Sequence, residues 1–211
     1  MPRVLLLLLG MLLLASGCKQ YATLAPLADP DQPVYDNQLL GRWCGMQTKK
    51  DPATGATVNT PDTDNYFTVT KNRNRKTGYT LSAVNKRNDT TIEFDVRPFE
   101  VGDHKFLQLQ RPKFGSDEEN AGILRIYYFA PYEIEDDKLY ISFSPTDRLR
   151  KLAKAEDIAM VETKQTLLFT SERQQMLNFL EKHMEELFPD GKATEPLYRA
   201  ESFDQKTNDD S

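Results

Sequence analysis

From residue 39 onward, apolar and polar residues alternate along most of the chain. In 90–99, TTIEFDVRPF, Ile92, Phe94 and Val96 fall on one face and Glu93, Asp95 and Arg97 on the other. A half-buried strand needs this spacing, because its successive side chains point to opposite faces. The same pattern predicts strands over 39–47, 66–72, 78–85, 104–110, 123–135, 138–144 and 159–170. Turn clusters such as Asn88-Asp89 and Asp136-Asp137 separate several of them. The Thr-, Asp-, Pro- and Gly-rich stretch 49–64 reads as a long loop.

Two segments leave period two. In 146–157, Leu149, Leu152 and Ala153 have helical spacing and predict a short helix ahead of the last strand. In 171–188, Met176, Leu177, Leu180, Met184, Leu187 and Phe188 form a stripe. Ser171 and Gln174 have capping-box spacing, and Pro189-Asp190-Gly191 supplies a stop. The fold class is therefore mostly β. About eight strands in an antiparallel up-and-down meander have one apolar face, and closing into a barrel buries that face and removes both free edges.

The first residues follow a different rule. Arg3 precedes an apolar run, Val4 to Leu14, and Ala15-Ser16-Gly17 are small. That is the layout of an export signal, and the run is too short to span a hydrocarbon layer of ~30 Å. The string Leu14-Ala15-Ser16-Gly17-Cys18 resembles the bacterial lipobox, with Ala15 where leucine is most frequent. The resemblance implies removal of 1–17, diacylglycerol (palmitate-type chains) on Cys18, and anchoring to a bilayer at ~0.8 kcal/mol per buried methylene. Lys19 rather than aspartate after Cys18 points to the outer membrane, facing the periplasm. Residues 18–38, with Pro26, Pro30 and Pro33, read as a tether. The domain is expected over 39–190, with a flexible tail over 191–211.

Charge narrows the partners. The net charge is −5, and loss of Arg3 with the leader makes it −6. An acidic chain in the envelope is not expected to bind nucleic acid. With Cys18 acylated, Cys44 has no partner within the chain, so no disulfide is expected.

Candidate chemistry is sparse. His104 and His183 are the two histidines, in a polar turn and on the last helix. Asp62 and Asp64 share a loop without the ligands or glycine turn of a calcium site. No nucleophile elbow, phosphate loop, dinucleotide fingerprint or zinc-protease motif occurs. Glu93, Asp95 and Asp103 are scattered carboxylates that surface solvation explains. No metal, cofactor or catalytic residue is expected, and the chain does not read as an enzyme. The basic groups Lys71, Arg73, Arg75 and Lys76 at one hairpin tip, and Lys86 and Arg87 at the next turn, could meet an anionic bilayer or simply be solvated.

Gly41-Arg42-Trp43 on the first strand, the meander and the late helix resemble the lipocalins, and more nearly uncharacterised bacterial lipoproteins of lipocalin-like plan. The resemblance implies a barrel whose closed end is plugged by Trp43, with Gly41 relieving a bend and an arginine from beyond the last strand over the indole. Arg173 is the candidate arginine. The Thr-Asp-Tyr turn motif of lipocalins is absent.

Inward positions then include Trp43, Leu81, Ile92, Phe94, Leu107, Leu109, Tyr128, Ile141 and Phe143. A barrel of eight strands either fills with such side chains or holds one small ligand. Two readings follow: an envelope lipoprotein that binds a small apolar or amphipathic molecule such as a lipid, or a solid barrel that acts as an assembly component. The second would meet an envelope protein partner through its late helix or through Tyr127 and Tyr140.

Overall fold

The computed structural model describes residues 20–72, 78–110, 124–189 and 195–200. The expected leader, Cys18, the basic groups Arg73, Arg75 and Lys76, and the tail beyond residue 200 lie outside these residues.

Eight antiparallel strands close into a barrel. Strands β2 (Gly41–Lys50), β3 (Thr57–Lys71), β4 (Tyr79–Asn85), β5 (Thr90–Val101), β6 (His104–Gln110), β7 (Tyr127–Glu135) and β8 (Lys138–Ile141) follow one another as a meander. The circle is completed by β11 (Leu197–Arg199), which pairs with β8 on one side and β2 on the other. The other strands, β1 (Gln20–Thr23), β9 (Met160–Glu162) and β10 (Thr166–Phe169), form a flap on the edge of β7. Helices α1 (Thr146–Ala155), α2 (Arg173–Lys182) and α3 (Met184–Leu187) complete the fold.

There are two cores. One fills the barrel: Trp43, Phe67, Tyr79, Leu81, Phe94 and Leu139 interdigitate inside it. The other lies between the outer barrel wall and the helices, where Phe99, Val101, Phe106 and Phe129 meet Leu149, Met176, Leu180 and Leu187. Strands β5 to β7 therefore carry apolar residues on both faces at one end. Val96 points inward, while Phe99 and Val101 point outward beneath the helices.

Several expectations are corrected. The stretch 49–64 is not a long loop. It forms the tip of the β2–β3 hairpin, turned at Asp51–Ala56, where Asp51 N–H donates to Ala56 O at 2.8 Å. Its Thr and Val residues suit a strand, and with no core opposite it shows no alternation. Pro61 is tolerated where a bulge shifts the register between Cys44 and Met46.

Residues 159–170 are not the eighth barrel strand. Thr163 reverses the chain, its Oγ1 accepting the N–H groups of Gln165 and Thr166 at 3.2 and 2.9 Å, and the segment becomes the β9–β10 hairpin. The eighth strand is β11, inside the stretch expected as a flexible tail.

The segment read as a tether is docked on the body at Gln20–Thr23 and at Leu27 and Ala28, while residues 30–33 are exposed. β1 pairs parallel with β10 and antiparallel with β7, and Leu27, Ala28 and Leu39 are buried. Gln108 fixes this segment, its Oε1 accepting from Leu27 N–H at 2.5 Å and Ala28 N–H at 2.9 Å.

The late helix breaks at His183, whose φ of −112° and ψ of 16° separate α2 from α3. No capping box forms. Glu172 is the N-cap, and Ser171 Oγ accepts from Ala159 N–H at 2.9 Å.

Candidate functional site

Among the described residues, one end of the barrel is plugged. The plug is the single 3-10 turn Asn37–Leu39 leading into Gly41, which takes a φ of +123°, a backbone region that suits glycine. Trp43 is fully buried against Phe67 and Leu39, and its Nε1–H donates to Leu39 O at 2.9 Å.

Arg199, not Arg173, covers the indole. Its guanidinium carbon lies 4.5 Å from the ring centroid. It also donates to Leu40 O, to Gln38 O at 2.8 Å and to Asp137 Oδ1 at 3.1 Å. Arg173, the first residue of α2, instead donates from Nε to Leu27 O at 2.8 Å and reaches Asp29. A strand of three residues shows no period, so the pattern did not mark Arg199.

A polar cluster sits beside the plug. The buried Asp36 carboxylate accepts from Lys105 Nζ at 2.9 Å, Tyr132 Oη at 3.1 Å and Gln38 N–H at 3.0 Å. Asp36 N–H donates to Tyr79 Oη at 2.9 Å. Burial by itself would raise the Asp36 pKa, but these hydrogen bonds and the Lys105 charge outweigh it, and the carboxyl is held below its ordinary value. Burial raises the Tyr132 pKa first, and the Asp36 charge raises it further. Both phenols therefore stay protonated. This cluster ties the plug to β4, β6 and β7.

Toward the other end the interior changes. Leu81, Phe94, Leu107 and Ile141 are buried and form a filled floor. Above them, Ala83, Ile92, Leu109 and Tyr128 are only half-buried, with Ala83 opposite Ile92 and Leu109 opposite Tyr128. These four make an apolar mouth. Between the longer β7 and β2, strands β8 and β11 span four and three residues. Phe143, expected inside, lies beyond the end of β8 and is 42% exposed, so it does not line the barrel.

The remaining candidates are dispersed. His104 is exposed at the start of β6. His183 packs on Phe179 at 5.2 Å, with Nε2 3.4 Å from Glu156, whose carboxylate is taken by Lys182 at 2.7 Å. Asp62 caps the Asp64 and Asn65 N–H groups at 3.1 and 3.2 Å. Glu93 and Asp95 accept from Ser82 and Asn72. Cys44 is buried on the outer face of β2, opposite Tyr66 and Tyr198. Tyr127 and Tyr140 are half-buried. Lys71 and the Lys86–Arg87 pair flank opposite ends of β4, so the two basic groups do not share one surface. Arg87 pairs with Asp64 at 3.2 Å, and Lys86 lies over Tyr66 at 5.5 Å.

The candidate site is thus the half-buried apolar rim at Ala83, Ile92, Leu109 and Tyr128. The chain matches no family model, no curated protein and no solved structure.

Proposed function

We propose that the chain is a lipid-anchored protein of a bacterial envelope, on the periplasmic side of the outer membrane, whose lipocalin-like barrel takes a small apolar or amphipathic molecule at its mouth. The observation that carries the binding reading is the change from a filled floor at Leu81, Phe94 and Leu107 to a half-buried rim at Ala83, Ile92, Leu109 and Tyr128. Each large apolar side chain covered by a ligand contributes about 1.5–3 kcal/mol, so a few rim residues supply useful affinity. The filled floor limits the guest to one inserted end, such as the tip of an acyl chain, with its polar part in water. The anchoring half of the reading rests on the lipobox-like string ending at Cys18.

The test of binding is titration of a fluorescent fatty-acid probe into the folded protein, with Ile92→Trp as the variant that fills the mouth. Saturable binding lost in Ile92→Trp supports the reading. No saturable signal across lipid classes overturns it and leaves the solid-barrel assembly component. The densely packed closed half favours that alternative, and crosslinking in cells would recover a defined partner. Anchoring is tested separately, by labelled palmitate in cells carrying the wild type or Cys18→Ser.

A further inference from the structure

We infer that the flank of the barrel around the start of β1, carrying exposed Val161 and Phe143 and the Thr163–Gln165 turn, is the face that lies on the bilayer; this rests on acylation at Cys18 as proposed above.

The argument begins from covalent reach. Two peptide links separate Cys18 from Gln20, so their Cα atoms are at most about 7.6 Å apart. Gln20 is no part of a loose tether. It is paired opposite Thr166 in β10, and its N–H donates to Gln165 O at 2.8 Å. An acylated Cys18 therefore brings the Thr163–Gln165 turn down to the headgroups, and the body has no slack with which to choose another face.

What surrounds that point suits the interface. Among the described residues, the large apolar side chains with high exposure are Tyr35, Val58, Leu124, Phe143 and Val161. Val161 lies opposite Leu168 on β9, two strand spacings or roughly 10 Å from β1. Phe143 adjoins Ser144, whose N–H donates to Tyr21 Oη at 3.3 Å, which places Phe143 one residue from the phenol tip of a β1 side chain. Lys164 stands exposed in the turn itself, and Lys19 follows Cys18 in sequence. Each such cation near an anionic leaflet adds attraction. Val161, on the face of β9 and β10 shared with Ala22, and Phe143, by the Tyr21 phenol on the other face, flank β1, and with Lys164 they suit a bilayer surface.

The opposite faces do not offer this. Tyr35 precedes the plug and Val58 lies on the projecting β2–β3 hairpin, neither of which pairs with β1; β1 itself joins the barrel at Tyr127 and Tyr128.

The experiment uses the full lipidated chain in vesicles of phosphatidylethanolamine and phosphatidylglycerol carrying a headgroup-level nitroxide lipid. An environment-sensitive fluorophore is placed in turn at Val161→Cys, Phe143→Cys, Tyr35→Cys and Val58→Cys; Cys44, 1% exposed, does not compete. The expected result is a greater loss of emission at 161 and 143 than at 35 and 58. Equal loss at all four positions, or greater loss at 35 or 58, overturns the assignment. Mass spectrometry of the vesicle-bound protein reads acylation independently. An acylated chain with uniform quenching removes the orientation alone, whereas a chain without acyl mass removes both orientation and anchor.

Discussion

Arg199 lies over the indole of Trp43 at 4.5 Å while donating to the carbonyls of Leu40 and Gln38. One side chain thus joins the closing strand to the plug. A partly desolvated cation over an indole is worth up to ~2 kcal/mol, and hydrogen bonds from a charged donor add to it. Arg199→Ala should lower unfolding stability by about 3 kcal/mol, whereas Arg173→Ala should leave the environment of Trp43 unchanged. Trp43 is the single tryptophan, so its emission during urea unfolding reports the difference directly. Equal effects of the two substitutions would reject this arrangement of the closed end.

A second expectation concerns acid. The folded-state pKa of Asp36 lies below its ordinary 3.8. A carboxyl shifted in that direction stabilises the fold above its unfolded value, and the contribution disappears as pH falls through the folded value. Asp36→Asn should therefore lower stability at neutral pH and flatten the pH dependence below about pH 4. Denaturation midpoints of both proteins across pH 2 to 7, on the order of one point per unit, check it. Parallel curves would mean that Asp36 does not titrate as an interior lock.

The third prediction addresses the N-terminal segment. Gln108→Ala leaves the Leu27 and Ala28 N–H groups without their acceptor inside the protein, at about 1–3 kcal/mol for each buried donor. The segment 24–36 should then be cut by a protease at low concentration while the barrel survives. If the wild type is cut equally fast, the segment is not docked.

A fourth follows from Cys44. Buried on the outer face of β2, it should be silent to a thiol reagent in the native protein and react once urea opens the barrel. Fast native labelling would contradict the packing of β11 against β2.

Legibility in the sequence varied with how many faces of a strand meet a core. Strands β4 and β5 were readable because Leu81 and Phe94 face inward and Ser82 and Glu93 face outward, and β6 because Leu107 and Leu109 alternate with Gln108 and Gln110. The β2–β3 extension was not, because both of its faces are polar and Thr57, Val58 and Thr60 mark a strand only by side-chain shape. The reversal at Thr163 escaped because hydroxyl hydrogen bonds make the turn there, not glycine or proline. The prolines at 26, 30 and 33 suggested an extended leash, yet Leu27 and Leu39 between and after them are buried. Of the site, Trp43 and the inward rows were visible in the pattern. Arg199 and Asp36 were not, since each works through contacts distant in sequence, 161 residues apart for Arg199 and Gln38.

That separation also bears on how the molecule assembles. The middle strands β3 to β6 join neighbours through short turns, whereas β1 must wait for β10 and β2 for β11. Pairings between remote parts of a chain carry a large loop-closure cost and form late. The central hairpins are therefore the natural nucleus, and the two extremities zip onto a sheet that already exists. Until they arrive, β2 and β7 present bare edges, which makes the interval before closure the time when this polypeptide is most exposed to self-association and to the help of a chaperone.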